Sequence, residues 1–225
     1  VFHRHRAPGY HPERAARLDA ARQGLMRSGA LEDALLVPAR EAAISELELV
    51  HDRGYIDTVL GALERGVGHL DPDTFFAEAT REAAFKAVGG GIDLARAVHA
   101  REVDFGFALA RPPGHHATPV RPRGFCVFNA ISVAAASLID SGAARRVAVV
   151  DWDVHHGNGT QDAFWRRADV LYLSVHQWPH FPGSGLSSEI GGGEGAGHTA
   201  NVPLPAGCGD DRSEEHTSEL QSLLI

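Results

Sequence analysis

Asp151-Trp152-Asp153-Val154-His155-His156-Gly157-Asn158-Gly159 follows directly on Arg146 to Val150, a short apolar, β-branched run that reads as a buried strand. Side chains two apart on extended chain point the same way. Asp151, Asp153 and His155 are therefore expected to project together from the strand's carboxyl end. In open α/β sheets that end is where sites are built. A carboxylate and an imidazole on one face suit a divalent metal, zinc above all. Taken alone, an acidic pair after a strand can also serve only to cap the next helix. A second histidine pair upstream, in Arg111-Pro112-Pro113-Gly114-His115-His116, shifts the balance toward a site.

Outward from this stretch, strands alternate with helices. His11-Pro12-Glu13-Arg14 is expected to open a helix that runs to about Ser28, with Leu18, Ala21, Leu25 and Met26 as its apolar stripe. Ile44 to Val50 reads as a strand, and His51 to Arg65 as a helix closed by Gly66. Leu70 to Thr74 reads as a loop whose carboxylates could hold a ligand's backbone amide or simply make the turn. Glu78 to Ala100 reads as a long helix interrupted at Gly89-Gly90-Gly91, glycines that suggest close packing against a neighbour. Val103 to Ala110 reads as a strand, Arg111 to Arg123 as a loop, and Gly124 to Asn129 as the lead-in to a helix through Leu138. A short helix over Gly159 to Trp165 and a strand over Val170 to Val175 follow. Gly191 to Gly197 reads as a mobile surface loop, since no Gly-Lys-Ser/Thr follows it, and Asn201 to Pro205 resumes an extended path. The pattern predicts an α/β fold: one domain with a single, mainly parallel sheet and helices on both faces.

Composition narrows the function. The 225 residues suffice for one domain with a substantial core. A net charge of -8 without a basic stripe argues against a nucleic-acid binder. Fourteen histidines are many, and several cluster. Cys126 and Cys208 fit no zinc-finger spacing, and a reducing, cytoplasmic location is expected. The longest apolar stretch, Ala130 to Ile139, is too short for a membrane span.

Pro112 and Gly114 restrict and shape the backbone before His115 and His116, and a fixed histidine pair near a metal suggests proton transfer to and from a reacting group. Asp151 and Asn158 are available to orient these imidazoles. Metal plus histidine points to metal-assisted hydrolysis, in which a histidine takes a proton from water and returns one to a leaving amine. Phe125 and Phe181 could wall a slot for a slender chain, or simply pack.

Together these residues resemble the zinc-dependent histone deacetylase family, within the arginase/deacetylase fold. The resemblance runs from about His11 to Asp211, and its most specific motifs are Arg111 to His116 and Asp151 to Thr160. Trp152, Asn158 and Gln161 look like the class II branch and its bacterial relatives, which include acetylpolyamine amidohydrolases. The resemblance implies zinc held by Asp153 and His155, with His116 as general base and acid oriented by Asn158. It implies that His115, paired with Asp151, stabilises the transition state. Phe125 and Phe181 would flank an acyl-lysine tunnel, with Gly124, His11 and either Asp71 or Asp73 at its rim. A structural potassium ion is implied at Asp151, Asp153, His155, Ser174 and Val175, and a second monovalent site at the Phe164 carbonyl and Val170. The substrate would be an acetylated lysine peptide or an acetylpolyamine, with no nucleic acid or membrane as partner. An arginase-like binuclear manganese hydrolase and a non-catalytic module that binds acyl-lysine or a partner are the alternatives.

Two family residues have no match: a third zinc ligand, an aspartate on a later strand, and an oxyanion-stabilising tyrosine. Tyr10, Tyr55 and Tyr172 stand in no suitable motif. The segment from Arg212 to Ser222 reads as a translated sequencing adaptor. The deacetylase domain is thus expected over 1–211, incomplete at its carboxyl end, with 212–225 outside the fold and a short piece missing before Val1. A chain of this composition is expected to be inactive or nearly so.

Overall fold

The structure, a computed structural model, describes residues 1–209 except 8, 33 and 67. The expectation for 212–225 lies outside the described residues. The chain divides into two compact units, Val1–Val147 and the part from Ala148 onward.

The first unit is mostly helical: α1 (Ala16–Arg27), α2 (Ile44–Leu47), α3 (Arg53–Leu63), α4 (Thr80–His99) and α5 (Ala130–Asp140), with a hairpin of β1 (Gly68–Asp71) and β2 (Thr74–Phe76). Its core gathers Leu47, Ile56, Val59, Phe85, Val88, Ile92, Phe128 and Val133. Full burial of such side chains contributes about 1.5–3 kcal/mol each. The three glycines do not interrupt α4, which runs through them. They permit a close approach: a Cβ at Gly89 would stand 2.3 Å from the Arg40 carbonyl oxygen, and one at Gly90 would stand 2.9 Å from Ala39 Cβ. Asn129 caps α5, its Oδ1 accepting from Ser132 N–H at 3.1 Å.

Four expectations in this unit are corrected. The first helix starts at Ala16, not at Pro12, because the preceding turn carries Glu13 into the interior. Met26, more than half exposed, does not belong to its buried stripe. Ile44 to Val50 is not a strand: Ile44–Leu47 is a helical turn, followed by turn residues. The Glu46 carboxylate accepts from Ala43 N–H at 2.8 Å and pairs with Arg40, and this local cap outweighs the alternating pattern. The Leu70 to Thr74 loop, by contrast, is found as the tip of the β1–β2 hairpin, with a carboxylate making the turn: Asp71 Oδ1 accepts from the N–H groups of Asp73 and Thr74 at 3.1 and 2.6 Å. Val103 to Ala110 forms no strand: Val103 and Asp104 lie in a bend, and Phe105 and Phe107 are exposed. Apolar alternation supplies a face but not a pairing partner, and a strand needs both.

The second unit holds a three-stranded sheet in the order β3 (Val147–Asp151), β4 (Val170–Gln177), β5 (Thr199–Leu204). β3 begins at the boundary between the units. β4 and β5 are parallel, with Ser174 opposite Asn201 and Val175 opposite Val202. α6 (Asn158–Phe164) follows the Asp151 to Gly157 turn. β3 is not wholly buried: Val149 is inside, while Ala148 and Val150 are exposed. The glycine-rich stretch is not a free loop. Gly193–Gly195 forms a 3₁₀ turn, and Gly192 N–H donates to the Trp165 carbonyl at 2.8 Å. A Cβ at Gly192 would meet Trp165 Nε1 at 2.6 Å, so the glycines allow the segment to lie against the indole.

Candidate active site

In the first unit, loop 111–118 carries the upstream histidine pair. His116 is buried and His115 half-buried, with ring centroids 4.0 Å apart at 46°. Contacts along its length hold the loop. Arg111 meets the Glu13 carboxylate with two guanidinium nitrogens. Gly114 lies against the start of α5, where a Cβ would come within 2.8 Å of the Phe128 carbonyl oxygen. The Thr118 carbonyl stands 3.0 Å from His51 Nδ1, while His51 Nε2 accepts from Asn129 N–H at 2.9 Å. These partners require a neutral His51 that donates from Nδ1. Burial holds its pKa down at about 4, which agrees.

The same unit brings together four of the residues expected at a tunnel rim. Asp73 Oδ1 accepts from Gly124 N–H at 3.1 Å, and Thr74 Oγ1 accepts from Phe125 N–H at 3.1 Å. Gly124 and Phe125 both adopt positive φ, 56° and 68°, and these two bonds to the hairpin hold that turn. The His11 ring packs edge-on to Phe125 at 4.6 Å and to Phe75 at 4.8 Å. Burial and the neighbouring Asp71 carboxylate raise the pKa of Asp73.

In the second unit, the Asp153 and His155 side chains meet, and Asp151 is tied to them through a backbone N–H, but not through strand alternation. β3 ends at Asp151, and the chain then folds through successive carboxylate-capped turns. Asp151 Oδ1 accepts from Asp153 N–H at 3.2 Å, and Asp153 Oδ1 accepts from His155 N–H at 2.8 Å. His155 Nδ1 lies 2.9 Å from Asp153 Oδ1. The Val154 carbonyl accepts from Gln177 N–H at 2.9 Å, which fastens the turn to β4. The His180 ring stacks on His155 at 4.9 Å, and Phe181 stands edge-on to it at 6.0 Å.

Behind this turn runs a buried polar network. Tyr172 donates to Asp151 Oδ2 at 3.2 Å. His156 contacts Ser184 Oγ through Nδ1 at 2.8 Å and Gln161 Oε1 through Nε2 at 3.1 Å. Burial, aided by the nearby His176, lowers the His156 pKa to about 4. Glu189 accepts from Gln161 Nε2 at 2.6 Å and from the N–H groups of Gly185 and Leu186. Ser174, expected at a monovalent cation, is buried with Oγ 2.9 Å from His176 Nδ1. The Phe164 carbonyl, expected at a second cation, accepts from Arg167 N–H at 2.9 Å. Asn158 is buried as the first residue of α6.

Glu13, His5, His51, His180 and Glu189 are the site-lining or site-supporting residues that sequence reasoning missed. No local signal marks Glu13, His5 and His51, whose partners lie 98, 75 and 67 positions away along the chain. Of the three tyrosines, Tyr55 donates to the Val127 carbonyl, Tyr172 donates to Asp151, and Tyr10 is exposed. The two buried hydroxyls are thus committed within the fold.

The second unit thus carries a carboxylate–imidazole turn after a strand, and the first carries a histidine pair on a pinned loop. The Histone deacetylase domain family matches residues 11–223, and the chain belongs to that family. It is 38% identical over 217 residues to a protein named "Probable deacetylase" from Archaeoglobus fulgidus, covering 94% of this chain and 60% of that one. It is 39% identical to Histone deacetylase 15 of Arabidopsis thaliana, covering 96% of this chain and 39% of the relative. To Histone deacetylase 10, chloroplastic, of Oryza sativa subsp. japonica it is 41% identical, covering 75% and 41%. Among solved structures, the crystal structure of an HDA15 HD domain matches with a TM-score of 0.83 at 38% identity, covering 91% of this chain and 58% of that one. The fold is therefore the arginase/deacetylase fold. The chain spans 39–60% of the length of these curated relatives. Among the described residues no helix is long and apolar enough to cross a membrane.

Proposed function

We propose that the whole protein hydrolyses N-acetyl amides with zinc, acting on acetyl-lysine in proteins or on acetylpolyamines. The observation that carries this is the convergence of Asp153 and His155, with Oδ1 and Nδ1 2.9 Å apart on a turn fastened to β4. A carboxylate oxygen and an imidazole nitrogen suit zinc in kind. They fall short in number, because no group of three His, Cys, Asp or Glu able to hold a metal occurs among the described residues, and typical catalytic zinc has three protein ligands. A bound zinc would polarise the acetyl carbonyl and acidify a water.

The chain's own residues do the rest in this reading. His116, oriented by Asn158, holds and returns the proton, and His115, paired with Asp151, offsets developing charge. Phe125 and Phe181 wall the acyl chain, with His11, Gly124 and Asp71 or Asp73 at the rim. Asp151, Asp153, His155, Ser174, Val175 and Phe164 serve structural potassium sites. Neither Cys126 nor Cys208 is in a disulfide, which supports a reducing, cytoplasmic location, and the chloroplastic names of two relatives offer the alternative. The absence of a three-donor metal group among the described residues, together with the committed tyrosine hydroxyls, favours acyl-lysine binding without turnover by the 225-residue chain.

The test is acetate release by the full-length protein from an acetyl-lysine peptide and from an acetylpolyamine, with zinc content measured in parallel. Removing zinc with a chelator is expected to abolish release and adding it back to restore it. His155→Ala is expected to lose zinc together with activity. Full activity in a protein stripped of zinc would end the reading.

A further inference from the structure

Glu13 is almost completely buried, 1% exposed, and so is Arg111 at 4%. Arg111 donates through Nε to Glu13 Oε1, through Nη2 to Oε2 at 2.6 Å, and through Nη1 to the Phe2 carbonyl at 2.7 Å. His5 Nε2 stands 3.5 Å from Glu13 Oε2, its Nδ1 stands 2.7 Å from Thr80 Oγ1, and its ring stacks on Phe75. Glu13 N–H donates to His11 Nδ1 at 3.1 Å. Burial opposes ionisation of Glu13, but hydrogen bonds from His5 and Arg111 outweigh it and hold the pKa at about 2. Buried charges persist only when paired, and a bidentate guanidinium–carboxylate pair fixes direction as well as distance.

What this pair fixes is the first residue of Arg111-Pro112-Pro113-Gly114-His115-His116. Pro112 and Pro113 lock two φ angles, so few soft torsions separate the guanidinium from the imidazoles. Gly114 is wedged against Phe128 to Ala130, and the Thr118 carbonyl is held by His51. The loop therefore has little freedom to absorb a shift at Arg111.

We propose that Glu13 is a positioning residue: acting through Arg111, it sets where the His115 and His116 imidazoles stand, without touching substrate. The proposal rests on the reading of His115 and His116 as the proton-handling pair. A purely structural role for Glu13 would affect stability alone.

The experiment follows the histidine ring resonances by NMR in the 225-residue chain carrying Glu13→Gln, Glu13→Asp or, as a destabilised control in α4, Ile92→Val. Positioning predicts that Glu13→Gln displaces the His115 and His116 ring resonances. Glu13→Asp recovers part of that displacement, and Ile92→Val produces none. If Glu13→Gln lowers the urea midpoint while both imidazoles stay at their wild-type positions, the proposal is overturned. Should Glu13→Gln not fold, Arg111→Lys, which keeps the charge and breaks the two-pronged geometry, is read by the same criterion. In the full-length protein, Glu13→Gln is expected to lower kcat at least ~10-fold with KM within ~2-fold. A wild-type full-length protein that releases no acetate would sink the deacetylase reading but leave the resonance test intact, so the two failures are told apart.

Discussion

At the scale of the residue, histidines do two kinds of work here. His155 sits on the carboxylate-capped turn, partly exposed, whereas His51 is enclosed and committed to one tautomer by the Thr118 carbonyl and Asn129 N–H. The burial of His51 has a consequence for pH. Its pKa falls from 6.5 to about 4 on folding, so between those values the unfolded chain binds more protons than the folded one. Stability is fully present above about pH 6.5 and is lost as pH falls toward 4, by about 3 kcal/mol for this group. Urea titrations at a series of pH values are expected to show the midpoint dropping through this window, with a shallower drop in His51→Gln. Both histidine-bearing motifs were legible as strings of residues. The partners that hold them were not, because Glu13 and His51 are unremarkable until the fold closes loops of 98 and 67 residues onto them.

At the scale of the element, helices declared themselves more clearly than strands. α3, α4 and α5 fall where apolar periodicity puts them, since 3.6-residue periodicity over three or more turns is a local property. Ile44 to Val50 misled because seven residues are too few for either period to dominate, and a side-chain cap decided the outcome. Val103 to Ala110 misled because a strand exists only by pairing. The glycines of α4 show the reverse case, where packing sets the cost of a substitution that the helix itself would welcome. Gly89→Ala is expected to destabilise by about 1–3 kcal/mol, because the methyl group would overlap the Arg40 carbonyl. In Gly61→Ala, within α3, the Cβ meets nothing within 4 Å, and a gain of about 0.5–1 kcal/mol is expected. Urea unfolding of the two variants side by side checks both signs. The helix-propensity gain from Gly to Ala is the same in both variants and cannot explain such a split, so the split would report packing directly.

At the scale of the whole molecule, the family relationship and the chain's own inventory pull in different directions. The chain belongs to the histone deacetylase domain family, yet the described residues contain no three-donor metal group, and two of its three tyrosines serve the fold. We therefore expect the 225-residue chain to release acetate from an acetyl-lysine peptide at less than about one hundredth of the full-length rate, the loss typical of one missing oxyanion donor. A coupled acetate assay on equal concentrations of both proteins measures this, and comparable rates would contradict it. The sequence by itself determined the family, the α/β class, the carboxylate–imidazole motif and the histidine pair, because these rest on contiguous residues whose chemistry does not depend on distant partners. Only the tertiary structure decided that Asp153 and His155 meet through capped turns and not along a pleated strand. It also decided that Asp73, Gly124, Phe125 and His11 form one cluster, and that Glu13 reaches Arg111. Those are encounters between segments far apart in the chain, and their geometry is set by burial and hydrogen-bond satisfaction that no local pattern encodes.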